Sequence, residues 1–349
     1  MIPAPIDHPS AWRSADFRSA DDYAIDLAPR HVRALTDALA GVRRAGLATE
    51  AIDRTAFDLS SIADDVRRWF EIVQHGRGFL MLRGFPVEGF PIDDVGTMYF
   101  GLGTHFGDAV SQSVLGDKLG YVIDMSREKA DARSYQNREP MFLHSDFTDI
   151  LAMLSIRTAR AGGLSRYASA VAIHDEIARR RPECLVPLYR GFPLYLMGEH
   201  REGESPVTPF DVPVFSVCQG QLSALFVIGL IRKGIAHTGR VLTVIEAEAL
   251  DLFLEIAHRP DVMLEFMIEP GQLVLANNLL MLHSRTAIEN DDGPRRLLMR
   301  LWLKVPQGRP RVREIDLYQT DGGIAPQQGK RPVYADGALD REVARRLRA

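Results

Sequence analysis

Cysteine is nearly missing from this chain. Cys184 and Cys218 are the only two among 349 residues, and they lie far apart. They make no cysteine-type metal spacing and no disulfide framework, so both are expected as free thiols in a reducing compartment. An excess of positive charge is missing as well. Lys and Arg number 42 against 46 Asp and Glu, a formal charge of −4. A nucleic-acid binder would show a basic stripe, so that class is set aside. No apolar run approaches the roughly 18 residues of a membrane span. The opening stretch, MIPAPIDHPSAWRSADF, has neither a basic nor an apolar segment and does not read as a signal peptide. A cytoplasmic protein without a membrane or nucleic-acid partner is therefore expected. Internal repeats and low-complexity segments are absent too. What remains is an ordinary globular balance, 46% hydrophobic and 25% charged, which suits a folded enzyme.

Helices dominate the first part of the sequence. Apolar residues recur at helical spacing over Arg30–Arg44 and over Ile62–Val73. Phe79–Leu82 reads as a short buried strand. Pro91–Phe106 returns to helix, with Gly107 past its end. Beyond that point the texture becomes strand and turn. Gly120–Met125 and Asp149–Arg157 are strand-like, and the charged segment between them reads as a loop. Two further helices are predicted at Ala170–Arg180 and Val244–Ala257, the second with Thr243 as N-cap. The Arg179-Arg180-Arg181 run reads as a solvated helix end. Met197–Pro213 is loop-like. Strand patterns follow at Val262–Ile268, Leu273–Leu275, Leu279–Leu282 and, most clearly, Arg295–Val305. Helices early and strands late predict an α+β fold, a jelly roll with flanking helices.

Three pieces carry chemistry. In Leu143-His144-Ser145-Asp146, an extended backbone would place His144 and Asp146 on one face, about 7 Å apart at Cα. An imidazole and a carboxylate so placed can grip one metal ion. His283 follows an apolar run, LANNLLMLHSRT, which would deliver it inward. Two histidines and one carboxylate, with further positions open, form the ligand set of non-haem iron(II) oxygenases. Third, parity divides Arg295–Val305 into two faces: Leu297, Met299, Leu301 and Leu303 on one, Arg296, Leu298, Arg300 and Trp302 on the other. Arginines on an inward face need anionic partners. The spacing of Arg296 and Arg300, roughly 13 Å, suits opposite ends of a five-carbon dicarboxylate.

With these motifs in order, the sequence resembles the taurine dioxygenase-like family of Fe(II)/2-oxoglutarate-dependent oxygenases. The likeness runs from about Gly76 to Pro310, through GFLMLRGFPV, GLGTHFGDAVSQ, FLHSDFTDILAMLSIRTARAGGLSRYASAVAIHDE and GQLVLANNLLMLHSRTAIENDDGPRRLLMRLWL. It implies a double-stranded β-helix (jelly roll) core over 76–310, a mainly helical part over 1–75 and a tail over 311–349, all in one oxygenase domain. It implies Fe(II) held by His144, Asp146 and His283, with O2 and 2-oxoglutarate as cosubstrates. Arg296 falls where the family binds the distal carboxylate of 2-oxoglutarate, and Arg300 nearer the metal end. A hydroxyl after a Gly-Gly pair commonly touches the cosubstrate, which selects Ser165 after Gly162-Gly163. The interval from Asp146 is short for the family, so Ser169 is a second candidate. Gln112 follows a helix at a place that faces the family's active site, and Tyr135 lies in the charged loop. Both are candidate contacts to a small-molecule substrate, most simply one that is hydroxylated with release of succinate and CO2. Two other readings stay open: a zinc hydrolase using the same three residues, and a catalytically silent jelly-roll binding protein.

Overall fold

Strand β14 (Leu297–Lys304) bears out the parity prediction. Leu297, Met299, Leu301 and Leu303 pack in one hydrophobic core, while Leu298 and Trp302 pack in others on the opposite side. The same alternation runs through β2 (Phe79–Arg83), β5 (Ile150–Arg157) and β11 (Leu273–Asn277). Leu80, Leu154 and Leu275 point to the first core, and Phe79 and Val274 to the second. Period-two backbone geometry therefore gives this sheet two apolar faces, each needing a cover.

The computed structural model describes residues 6–126, 136–201, 203–290, 295–318 and 323–330. Tyr135 and most of the charged loop before His144 lie outside them. The major sheet has seven strands. Its order is β1 (Ala24–Asp26), β2, β11, β5, β14 and β3 (Asp108–Ala109), with β4 (Leu119–Ile123) also paired to β14. The minor sheet is β10 (Met263–Phe266), β7 (Ser165–Ser169) and β12 (Met281–Arg285). Two short ladders complete the strands: β6 (Ala161–Gly162) with β13 (Ile288–Glu289), and β8 (Phe215–Cys218) with β9 (Gln221–Ala224). Phe79 and Val274 of the major sheet share a core with Tyr167 and Met281 of the minor sheet. The two sheets thus face each other as a double-stranded β-helix with flanking helices, an α+β fold.

Helices α1 (Pro29–Arg44), α2 (Ala63–Gln74) and α3 (Ile92–Gly103) cover the outer face of the major sheet. Helix α1 buries His31, Ala34, Leu35, Ala38, Leu39 and Val42, one helical stripe, and opens with Pro29 where a backbone N–H has no partner to lose. Behind the minor sheet lie α4 (Ala170–Arg180), α5 (Leu185–Arg190), α6 (Ile228–Thr238) and α7 (Val244–Ala257). Thr243 is the N-cap residue of α7, and its N–H donates to Glu246 Oε2 at 2.8 Å. At the end of α4 the arginine run is half-exposed but not simply solvated. Arg179 pairs with Glu176, Arg180 with Glu255, and Arg181 with Glu183 and Glu248. Among the described residues, no helix is long and apolar enough to cross a membrane.

Candidate active site

Strand β12 carries His283 at its middle, opposite Tyr167 of β7. His144 joins this sheet by a single antiparallel bridge, in which the His144 and His283 N–H groups donate to each other's carbonyls over 3.0 and 2.9 Å. The expected strand through His144 and Asp146 is reduced to that one bridge, because the chain bends immediately afterwards. Asn278 holds the bend. Its Oδ1 accepts from the Asp146 N–H at 2.9 Å, and its Nδ2 donates to the Asp146 carbonyl and, at 3.0 Å, to that of Thr148. One buried side-chain amide stands in for the missing strand neighbour.

One nitrogen from each histidine and one Asp146 oxygen lie within 4.8 Å of one another. His144 Nε2 is 3.7 Å from Oδ1, and His283 Nε2 is 3.6 Å from Oδ2. The other ring nitrogen of His144, Nδ1, sits 2.8 Å from the Phe142 carbonyl. A carbonyl only accepts, so Nδ1 carries the hydrogen and Nε2 offers its lone pair. Burial, reinforced by His144, pushes His283 down to about 3, so it is neutral near pH 7. Burial alone would raise Asp146. His283, Arg300, His144 and the Trp302 hydrogen bond outweigh it and hold the carboxyl below its usual range. Two imidazole lone pairs and one carboxylate, converging from one side, fit a divalent metal that keeps further positions for other ligands.

The cationic wall lies beside this triad. Arg296 is 3% exposed. Its side chain runs under Gly163, where a Cβ would meet Nε at 3.0 Å and Cδ at 3.1 Å. Gly163 also has φ +70°, so the Gly-Gly pair serves both the turn and the arginine. Burial, then Arg285, pushes Arg296 down to about 10. Its Nη1 is buried with no hydrogen-bond partner among the described residues. Ser165 pairs with Arg285 of β12 and so lies on the His283 face. Ser169 is committed elsewhere: its hydroxyl caps α4 by accepting from the Ala172 N–H at 3.0 Å, and it donates to the Ser10 carbonyl. Arg285 is 4% exposed and donates to the Asn137 carbonyl at 2.6 Å.

Arg300 packs over the Trp302 ring at 5.3 Å, with Nη1 3.6 Å from Asp146 Oδ2. Gln112 is 1% exposed and turned toward Arg300 rather than an open face. Sequence reasoning missed two contributors: the Trp302–Asp146 hydrogen bond and Tyr167. Tyr167 stacks near His283 at 6.4 Å, and burial raises its phenol. Its alternation with Ser165 becomes readable only once Ser165–Ser169 is known to be a strand. A surface cleft of about 1030 Å³ belongs to α2, α3 and the loop around Asp53. It lies on the outer side of the major sheet and shares no residue with the triad or the arginines. The chemistry of the donor set therefore outweighs cleft size in locating the site.

Known proteins resemble this chain in sequence and in fold. The taurine catabolism dioxygenase TauD, TfdA family matches residues 39–302. FR-33289 synthase of Streptomyces rubellomurinus (strain ATCC 31215) is 31% identical over 317 residues, covering 88% of this chain and 93% of the relative. A taurine hydroxylase-like protein, SAT17, of Stachybotrys chartarum is 23% identical, covering 83% and 77%. Among solved structures, asparagine oxygenase with Fe(II), 2S,3S-3-hydroxyasparagine and succinate superposes with a TM-score of 0.64 at 15% identity, over 81% of this chain and 93% of that one. The non-heme iron oxygenase OrfP with Fe and alpha-ketoglutaric acid gives 0.59 at 12% identity, over 81% and 94%.

Proposed function

Given that this chain belongs to the TauD, TfdA family and so is an iron(II)- and 2-oxoglutarate-dependent oxygenase, we propose that His144, Asp146 and His283 hold its iron. Arg296 and Ser165 receive the distal carboxylate of 2-oxoglutarate, and Arg300 orients the cosubstrate nearer the metal. Iron(II), when bound, supplies with dioxygen and 2-oxoglutarate the oxidising chemistry that leaves succinate and CO2. The chain's own residues do the rest. His144 is fixed in one tautomer by the Phe142 carbonyl, Asp146 is kept ionised, and the two sheets keep water away from the reacting centre.

The observation that carries this reading is the buried Nη1 of Arg296, a donor on a buried cation with no hydrogen-bond partner among the described residues. Such a group is costly to bury alone and is matched by a carboxylate reaching it from the cavity. A zinc hydrolase has no use for it, and a silent binding protein has no use for a poised triad beside it.

The substrate is a small molecule, and hydroxylation is the expected outcome. Asparagine oxygenase and OrfP have been solved with hydroxylated amino acids, so free amino acids are the first candidates here, ahead of other small acids. The chain acts as one oxygenase domain in the cytoplasm. The test is succinate release with Fe(II), 2-oxoglutarate and a panel of amino acids and small organic acids. A substrate that stimulates succinate release and gains one oxygen supports the reading. Turnover that ignores 2-oxoglutarate and survives replacement of iron by zinc would favour the hydrolase.

A further inference from the structure

Gln112 lies far from the triad in sequence, yet its side-chain amide bonds directly to Arg300. Its Oε1 accepts from Arg300 Nε at 2.6 Å. Its Nε2 donates to the Arg300 carbonyl at 2.8 Å and to the Lys118 carbonyl at 2.7 Å. These bonds fix which way the amide faces, because two carbonyls require the NH2 end and the guanidinium requires the oxygen. Both ends are therefore occupied, and the side chain is buried. An amide so placed has no free end for a substrate. It grips one arginine by both its backbone and its side chain.

Gly120 makes the grip possible. It pairs directly with Arg300 between β4 and β14. A Cβ at Gly120 would stand 2.7 Å from Gln112 Oε1 and 3.2 Å from Nε2. The identity of residue 112 also has a chemical reason. Glutamate would accept the same hydrogen bond, but it would set a negative charge against the guanidinium and face two carbonyl oxygens without a donor. Glutamine holds Arg300 while leaving its positive charge undiminished. Trp302 under the guanidinium supplies the second constraint. An arginine held at Nε presents its Nη edge in one orientation, so less freedom is lost when an anion binds.

We propose that Gln112 is a positioning residue, which, with Gly120 as the space it needs, orients Arg300 to bind 2-oxoglutarate. This rests on the assignment of Arg300 to the cosubstrate made above. A merely structural glutamine would lower stability but would not couple to Arg300 in ligand binding, and a double-mutant cycle separates the two.

The full chain, loaded with Fe(II) under anaerobic conditions, is titrated with 2-oxoglutarate by calorimetry. Wild type is compared with Gln112→Met, Arg300→Met and the double variant, and the Fe(II) affinity of each is measured separately. Gln112→Met is expected to raise the Kd for 2-oxoglutarate about tenfold, or about 1.4 kcal/mol, with Fe(II) affinity within about twofold of wild type. The double variant should bind no more weakly than Arg300→Met alone. Gly120→Ala, which displaces the amide without removing it, should reproduce the Gln112→Met loss and carries the comparison if that variant does not fold. Unchanged binding in Gln112→Met or in Arg300→Met overturns the proposal. So do losses that multiply in the double variant. Wild-type protein that binds Fe(II) but no 2-oxoglutarate overturns the assignment beneath it as well, and is recognised before any variant is made.

Discussion

The indole Nε1 of Trp302 donates a 2.8 Å hydrogen bond to Oδ2 of Asp146. It reaches from the major sheet to the chain segment beside the minor sheet, tying the carboxylate of the triad to the arginine strand. The bond neutralises part of the charge on Oδ2 and fixes the plane of the carboxylate. Replacing Trp302 with Phe keeps most of the packing and removes the donor. Fe(II) affinity should fall about 10- to 100-fold, measured by equilibrium competition with a chelator. Affinity within twofold of wild type would show that the bond does not shape the metal site.

Asn278 predicts a different kind of loss. Its amide satisfies the N–H and carbonyl of Asp146 and the carbonyl of Thr148 in a fully buried bend. Asn278→Ala leaves those backbone groups without partners. Denaturant unfolding should show a loss of about 2–3 kcal/mol, accompanied by weaker Fe(II) binding. A stable variant with intact metal affinity would mean that the bend holds itself.

Arg296 should show the reverse trade. Its guanidinium is buried and pushed down to about 10, with one nitrogen unpartnered among the described residues. Arg296→Met removes a group that is unfavourable in the empty barrel. The ligand-free protein should gain about 1–3 kcal/mol in unfolding stability, while 2-oxoglutarate should no longer raise its Tm. A less stable variant that 2-oxoglutarate still protects would contradict the role given to this residue.

Glu176 gives a pH dependence away from the site. Its side chain is 2% exposed and bonded by Arg13 at 2.6 Å, Arg259 at 2.7 Å and Arg179. Burial would raise its pKa, but these three arginines hold it at about 2, below its ordinary 4.5. A lowered carboxyl contributes stability in full above pH 4.5, and the contribution fades as pH falls toward 2. Because the arginines are partly exposed, solvent screening limits it to about 2 kcal/mol. Glu176→Gln should therefore lose about that much at pH 7, with the gap to wild type closing on acidification. A gap that stays constant with pH would assign the loss to packing.

How far the sequence carried depended on whether a signal was local. The two faces of β14 were legible because backbone alternation imposes them, and α1, α2 and α7 because their apolar residues recur on one side. Helix α6 was missed: Gly229 and Gly234 interrupt its pattern, and Gly234 is there because a Cβ would meet the Pro193 carbonyl oxygen at 2.1 Å. Strand β7 was missed because SRYAS turns a serine and a tyrosine inward, so no apolar alternation marks it. The strand expected over Leu279–Leu282 begins only at Met281, since Leu280 N–H bonds back to the Asn277 carbonyl at 3.0 Å and closes a turn. The triad and both arginines were legible through motif order. Gln112 on Arg300 and Trp302 on Asp146 were not, because nothing in local spacing encodes a contact between segments so distant in the chain.

If His144, Asp146 and His283 hold iron(II) in a site that also takes 2-oxoglutarate, the two ligands form one coloured complex. Anaerobic titration of Fe(II) and 2-oxoglutarate into metal-free protein, followed by visible absorbance, tests it most directly. A weak charge-transfer band that needs both additions and is lost in His283→Ala is expected. A wild-type protein that retains no iron and shows no band, or a band that survives His283→Ala unchanged, would contradict it.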